Sequence, residues 1–159
     1  MEKIIEIKMS EMLVGRGELI IKTNSIGSCL VIVIYDKEKK IGGMVHAMLP
    51  QKPTEPTQSG FHDASRARYV DTAIHTMVEE VLKLGAERTK LQARIIGGAK
   101  MFNALGLKNN SVGSDNIEAA HKLLTELVIP IKSQDTGGTI GRIASFNLAS
   151  GIIEVSTRM

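Results

Sequence analysis

Residues 29–49 read CLVIVIYDKEKKIGGMVHAML, and this stretch decides the fold. Cys29 to Tyr35 is a β-branched run of the kind found in buried strands. Asp36 to Lys39 is a polar turn, and the apolar chain that follows returns as a second strand. The two segments predict an antiparallel hairpin with a four-residue loop. In that register Tyr35 pairs with Lys40, Val33 with Gly42, Val31 with Met44, and Cys29 with His46. Directly opposed residues share a face, with Cβ atoms about 4.5–5.5 Å apart. A slip of one residue would send His46 to the other face.

Working outward, residues 2–8 and 18–23 alternate as strands do, and KLQARII (90–96) adds another. From about Ser65, Val70, Ala73, Ile74, Met77, Val78, Val81 and Leu82 recur at helical spacing until Gly85 stops the pattern. A second amphipathic helix is expected from about Ser114 to Leu127, with Ile117, Ala120, Leu124 and Leu127 inward. AKMFNAL (99–105) reads as a short helix or turn. The tail reads as strands broken at Thr136-Gly137-Gly138 and at Ser150-Gly151. Strands at both ends and two main helices between them predict an α+β sandwich, with helices laid on a mainly antiparallel sheet system.

The chain has 159 residues, which suits a single domain spanning 1–159. Twenty Lys and Arg against 17 Asp and Glu give a net charge of +3, with the basic residues scattered. Two tyrosines, three phenylalanines and no tryptophan leave little for bases to stack on, which argues against nucleic-acid binding. No apolar run is long enough for a membrane span, and MEKIIEIKMSE lacks the apolar centre of an export signal. The single cysteine, Cys29, excludes an internal disulfide framework and any multi-cysteine metal site, and a free thiol suits a reducing cytosol.

Cys29 facing His46 has a chemical use. A free thiol has a pKa of about 8.5, and the thiolate is the nucleophile. A neighbouring imidazole takes the proton, lowers the apparent thiol pKa and later protonates a leaving nitrogen. Thr23 on the preceding strand is the candidate to orient the other ring nitrogen, with Asn24 and Ser25 as alternatives. Gly27-Ser28 permits a tight turn whose N–H groups could face a developing oxyanion. The competing reading treats Cys29 as a small core hydrophobe, the commoner fate of a lone cysteine in a strand.

His75 and His121 read as structural or surface histidines, and His62 as a solvated residue beside the proline-punctuated loop 50–61. TGGTIG (136–141) lacks the order of a phosphate-binding loop and is read as a hairpin turn. Gly97-Gly98 is read as a bend at a strand end. No HExxH, CxxC or paired-carboxylate pattern occurs.

TNSIGSCLVIVIYD followed by IGGMVHAMLP resembles the N-terminal signature of the CheD family, the chemoreceptor glutamine deamidases of bacterial and archaeal chemotaxis. RYVDTAI (68–74), IIGGAKMF (95–102), VGSDNIEAA (112–120) and GGTIGRIASFNLASG (137–151) continue the resemblance in order along nearly the whole chain. It implies a Cys-His-Thr triad, carried here by Cys29, His46 and Thr23, and an α/β/β layered sandwich similar to certain glutamine-deamidating toxins. It implies conversion of receptor glutamines to glutamate through a thioester, without metal or organic cofactor. Some family members also act on methyl esters. Gly27 and Ser28 are candidate oxyanion residues beside the triad.

The resemblance further implies a cytoplasmic protein that works at chemoreceptor cytoplasmic helices and binds the CheY phosphatase CheC, with loop 50–61 as a plausible cleft wall. A second reading makes the chain a non-catalytic regulatory partner of CheC, its thiol incidental.

Overall fold

The computed structural model describes residues 2–51, 66–101 and 112–158. Nine strands and two helices follow one another along these residues. They are β1 (Lys3–Glu6), β2 (Met12–Arg16), β3 (Leu19–Ile26), β4 (Leu30–Asp36), β5 (Ile41–Ala47), α1 (Val70–Lys83), β6 (Leu91–Gly97), α2 (Val112–Glu126), β7 (Ile131–Thr136), β8 (Gly141–Asn147) and β9 (Ile152–Arg158). The strands form a five-stranded sheet ordered β2-β5-β4-β6-β7 and a four-stranded sheet ordered β1-β3-β8-β9. Pairing is antiparallel except for β1 with β3 and β6 with β7.

β4 explains the layering. Every one of its residues is buried, because it lies between β5 and β6 and is covered on both faces. Leu30, Ile32 and Ile34 join Val45 and Ala47 of β5 in a core shared with the apolar stripes of α1 and α2. Val31, Val33 and Tyr35 point the other way, into a second core with Ile21, Ile26 and Phe146 of the four-stranded sheet. The result is the expected helix/sheet/sheet sandwich. Each fully buried Val, Leu, Ile or Met side chain contributes about 1.5–3 kcal/mol, so this doubly covered strand is the energetic centre of the fold.

α1 buries Val70, Ala73, Ile74, Met77, Val78 and Val81, as its periodicity predicts. It begins at Val70 rather than near Ser65, which lies outside the described residues. At its end Ala86 N–H reaches the Val81 carbonyl and Gly85 N–H the Leu82 carbonyl, with Gly85 at φ 110°, a glycine-capped helix end. AKMFNAL beyond Met101, His62 and most of loop 50–61 lie outside the described residues. Among the described residues no helix is long and apolar enough to cross a membrane.

Three expectations need correction. First, the hairpin closes one pair further out: Asp36 faces Ile41, and Lys37 to Lys40 form the loop. Asp36 is fully buried, and its carboxylate accepts the N–H groups of Lys39 (3.2 Å) and Glu87 (2.9 Å), so it belongs to the strand. Tyr35 therefore faces Gly42, Val33 faces Met44, and Val31, not Cys29, faces His46. Second, TGGTIG is not a hairpin turn. It carries the chain from β7 in one sheet to β8 in the other. Third, Met12–Arg16 forms β2, an edge strand beside β5 that the sequence reading left unassigned.

Candidate active site

The corrected register moves every β5 partner by two residues, and a two-residue shift keeps each side chain on its face. Val31 and His46 are opposed across the β4–β5 pair and face the four-stranded sheet. Cys29 sits one residue before β4, where Gly98 N–H donates to its carbonyl at 2.8 Å and extends the β4–β6 ladder by one position. If the alternation of β4 continues back through this position, Cys29 shares the face of Val31 and stands diagonal to His46, a relation of roughly 7–8 Å in a regular sheet. Both side chains are buried, Cys29 at 7% exposure and His46 at 0%.

Thr23 comes from the opposite sheet. In β3, Leu19, Ile21 and Thr23 alternate inward, after which the strand bulges between Thr23 and Ile26. Thr23 Oγ1 lies 2.8 Å from His46 Nδ1 in a buried hydrogen bond that crosses the sandwich. Asn24 and Ser25, the alternative orienting residues, are exposed; Asn24 turns to Glu6 and Ser25 to Asn24. The His46 backbone is fixed from β2's side: its carbonyl accepts from Ser10 N–H at 2.8 Å, and its N–H reaches the Glu11 carbonyl at 3.0 Å. Its Nε2 is buried and has no hydrogen-bond partner among the described residues.

The Gly27–Cys29 bend is clamped by its carbonyls. The Gly27 carbonyl accepts from Ala99 N–H at 2.9 Å, and the Cys29 carbonyl from Gly98 N–H at 2.8 Å. The Ser28 carbonyl accepts from Asn116 Nδ2 at 2.9 Å. Gly97 and Gly98, at φ 114° and 69°, make the close approach possible, since a Cβ at Gly97 would stand 2.4 Å from the Cys29 carbonyl oxygen. The bend read at Gly97-Gly98 is thus real and supports the thiol. The turn at 136–141 braces it, with Gly137 N–H donating to the Gly97 carbonyl at 2.9 Å.

Asn116 is the residue that sequence reasoning missed. It is fully buried on α2, one helical step from Ile117, which is only partly buried. Asn116, Ala120 and Leu124 recur every four residues, so the period alone would have found it had a polar side chain not been discounted. His75 is exposed and His121 is half-buried, its Nε2 2.9 Å from Gln134 Oε1, away from Cys29.

Burial sets the protonation of the pair. It pulls the His46 imidazole down to about 4 from 6.5, and it pushes the Cys29 thiol up, against a smaller opposing pull from the residue's own N–H. The resting pair is therefore thiol and neutral imidazole, the reverse of the lowered thiol expected from sequence. The reason is that both groups are desolvated.

A stability prediction follows. Below 6.5 the unfolded chain protonates His46, whereas the folded chain resists until about 4. Stability from this group is complete above the unfolded value and falls with pH by on the order of 3 kcal/mol at the acid limit. Urea midpoints at neutral pH and at about pH 5 should diverge more for the wild type than for His46→Gln. Equal divergence would show that His46 is not held neutral.

A family model described as CheD chemotactic sensory transduction matches residues 48–157. The chain is 37% identical to a Pyrococcus abyssi protein named "Probable chemoreceptor glutamine deamidase CheD", covering 98% of this chain and 92% of that one. It is 36% identical to the Halalkalibacterium halodurans chemoreceptor glutamine deamidase CheD, covering 99% and 95% of the two chains. With the Bacillus subtilis protein of the same name it shares 34% identity over 97% and 91%. A family match over more than half the chain, and relatives at 34–37% identity aligned over more than nine-tenths of both chains, make this protein a member of the CheD family.

Proposed function

We propose that this chain is a chemoreceptor glutamine deamidase, in which Cys29 is the nucleophile, His46 the proton carrier and Thr23 the residue that orients the imidazole. The observation that carries the reading is the buried 2.8 Å hydrogen bond between Thr23 Oγ1 and His46 Nδ1. With hydrogen on Nδ1 and Thr23 accepting, Nε2 presents its lone pair within the face that carries Cys29. A core histidine with no task would not need a buried nitrogen left without a partner among the described residues.

The reaction then balances as glutamine plus water giving glutamate plus ammonia. The Cys29 sulfur attacks the carboxamide carbon as its proton passes to His46 Nε2. Because the resting groups are both neutral, proton transfer accompanies attack, and no preformed thiolate is required. The carbonyl oxygen becomes an oxyanion. The carbonyls of Gly27 and Ser28 are turned into the protein, so the N–H groups of Ser28 and Cys29, which point the opposite way across the same trans peptides, are the candidates to meet it. His46 returns the proton to the leaving nitrogen, ammonia departs and a thioester remains. Water, deprotonated by His46, hydrolyses the thioester, and the thiol takes back its proton.

The substrate is the cytoplasmic helical region of chemoreceptors, met in the cytoplasm, and CheC is a binding partner on the same reading. The names carried by the relatives support the receptor, and the resemblance of the signature blocks supports CheC. The test is mass spectrometry of a receptor cytoplasmic fragment after incubation with the protein. Conversion of a few defined glutamines to glutamate is expected; an unchanged fragment whose receptor is known to be deamidated by a relative would overturn the reading. Cys29→Ala should keep CheC binding, which separates binding from chemistry.

A further inference from the structure

Both carbonyls that receive the Asn116 amide flank the proposed catalytic residues. Nδ2 donates to the Ser28 carbonyl at 2.9 Å and to the Met48 carbonyl at 3.1 Å. Ser28 immediately precedes Cys29, and Met48 lies two residues beyond His46. One nitrogen therefore ties the segment that carries the thiol to the segment that carries the imidazole, and it does so from a third element, α2. We propose that Asn116 is a positioning residue, which holds the Cys29 bend in place against the His46 strand. The proposal rests on the deamidase reading for its effect on turnover, but not for the geometry.

The chemistry explains why an amide stands there. Among neutral side chains only a primary amide offers two N–H donors from one atom, and both acceptors here are carbonyls. That also fixes which way the amide faces. Oδ1 is left buried with no hydrogen-bond partner among the described residues. Such an atom carries a desolvation cost, so Asn116 is not an optimal choice for packing or stability. An apolar residue of the same shape would suit the buried stripe formed with Ala120 and Leu124. What it would lose is the pair of donors.

The other attachments of the bend do not substitute for it. Gly98 and Ala99 N–H groups tie the bend to the end of β6, but neither reaches Met48. Among the described residues, only the Asn116 bridge spans the Cys29 and His46 segments through one side chain. Small displacements matter at such a joint, because misplacing a reacting group by an ångström can cost about a hundredfold in rate.

The test compares Asn116→Leu, which keeps shape and apolar packing, with Leu124→Ala, a cavity two helical turns away on the same face. Asn116→Ala serves as a second variant should leucine not fold. Without the amide, Cys29 should react with iodoacetamide about fivefold faster or more, because a loosened bend exposes a buried thiol. On receptor fragment, kcat should fall about 10- to 100-fold with KM changed less than about threefold. Leu124→Ala should lower the melting temperature and leave both readouts near wild type. Wild-type alkylation and turnover in Asn116→Leu would overturn the proposal, as would an equal loss of kcat in Leu124→Ala. If wild type fails to deamidate while the alkylation difference appears, the deamidase reading falls and the anchor stands.

Discussion

Replacing His46 with glutamine is expected to lower kcat for glutamine deamidation by about a thousandfold or more, because the one group that moves protons in both half-reactions of the proposed mechanism is gone. Glutamine fills a comparable volume, and its amide can still bond Thr23 Oγ1, which now stands 2.8 Å from the imidazole. It cannot take the thiol proton or return it to the leaving nitrogen. KM should change little, since the imidazole is not called on to bind the ground-state amide. The pH profile provides an internal check. In the proposed mechanism the active base is the neutral imidazole, so kcat/KM should hold towards acid until the pH nears about 4, the value to which burial lowers His46. The residual rate of His46→Gln should lack that acid limb. A variant that keeps most of its kcat would remove His46 from the mechanism.

Gly97→Ala is expected to be among the most damaging single substitutions away from the triad. Gly97 sits at φ 114°, where an L side chain is strained, and its Cβ would lie 2.4 Å from the Cys29 carbonyl oxygen and 2.7 Å from Ile26 Cγ2. The first of those is backbone and cannot rotate away. Strain and overlap together should cost about 3 kcal/mol or more, a fall in melting temperature of roughly 6–12 °C for a domain of this size. Gly137→Ala separates the two causes, because φ is 81° there but a Cβ would meet nothing within 4 Å. It should lose only about 1 kcal/mol. Equal losses would show that the contact with the Cys29 carbonyl is not what confines Gly97. The same substitution should depress turnover, since the atom displaced belongs to the proposed nucleophile.

Much of the fold was legible because its decisive signals are local. The unbroken apolar run of β4 announces a strand covered on both faces, and the stripe from Val70 to Val81 announces a helix lying on it. The hairpin register was misread by two residues because its determinant is distant. Asp36 looks like a turn residue until its carboxylate is seen to hold Glu87 N–H, fifty-one positions away. The face of His46 survived that error only because side chains alternate with a period of two.

β2 escaped notice as five residues containing a glycine and an arginine, with pairing to β5 that no local pattern reveals. Thr23 was legible as a candidate, but its arrival from the other sheet was not, since sheet membership is a long-range property. Local chemistry also gave the wrong direction for the Cys29 thiol. A nearby imidazole suggested a lowered pKa, whereas the thiol's own burial raises it. Asn116 shows the opposite failure, a polar residue at the right period passed over because cores are expected to be apolar.

In the proposed mechanism everything turns on the Cys29 sulfur as the atom that performs the deamidation. The most direct measurement is the rate of glutamine-to-glutamate conversion in a receptor cytoplasmic fragment, followed by mass spectrometry with wild type and Cys29→Ala side by side. Cys29 contributes only a small buried side chain to the core, so the variant should fold, and its melting curve verifies this. Site-specific conversion is expected with wild type, and none above the enzyme-free control with folded Cys29→Ala. Equal conversion by both proteins would contradict it.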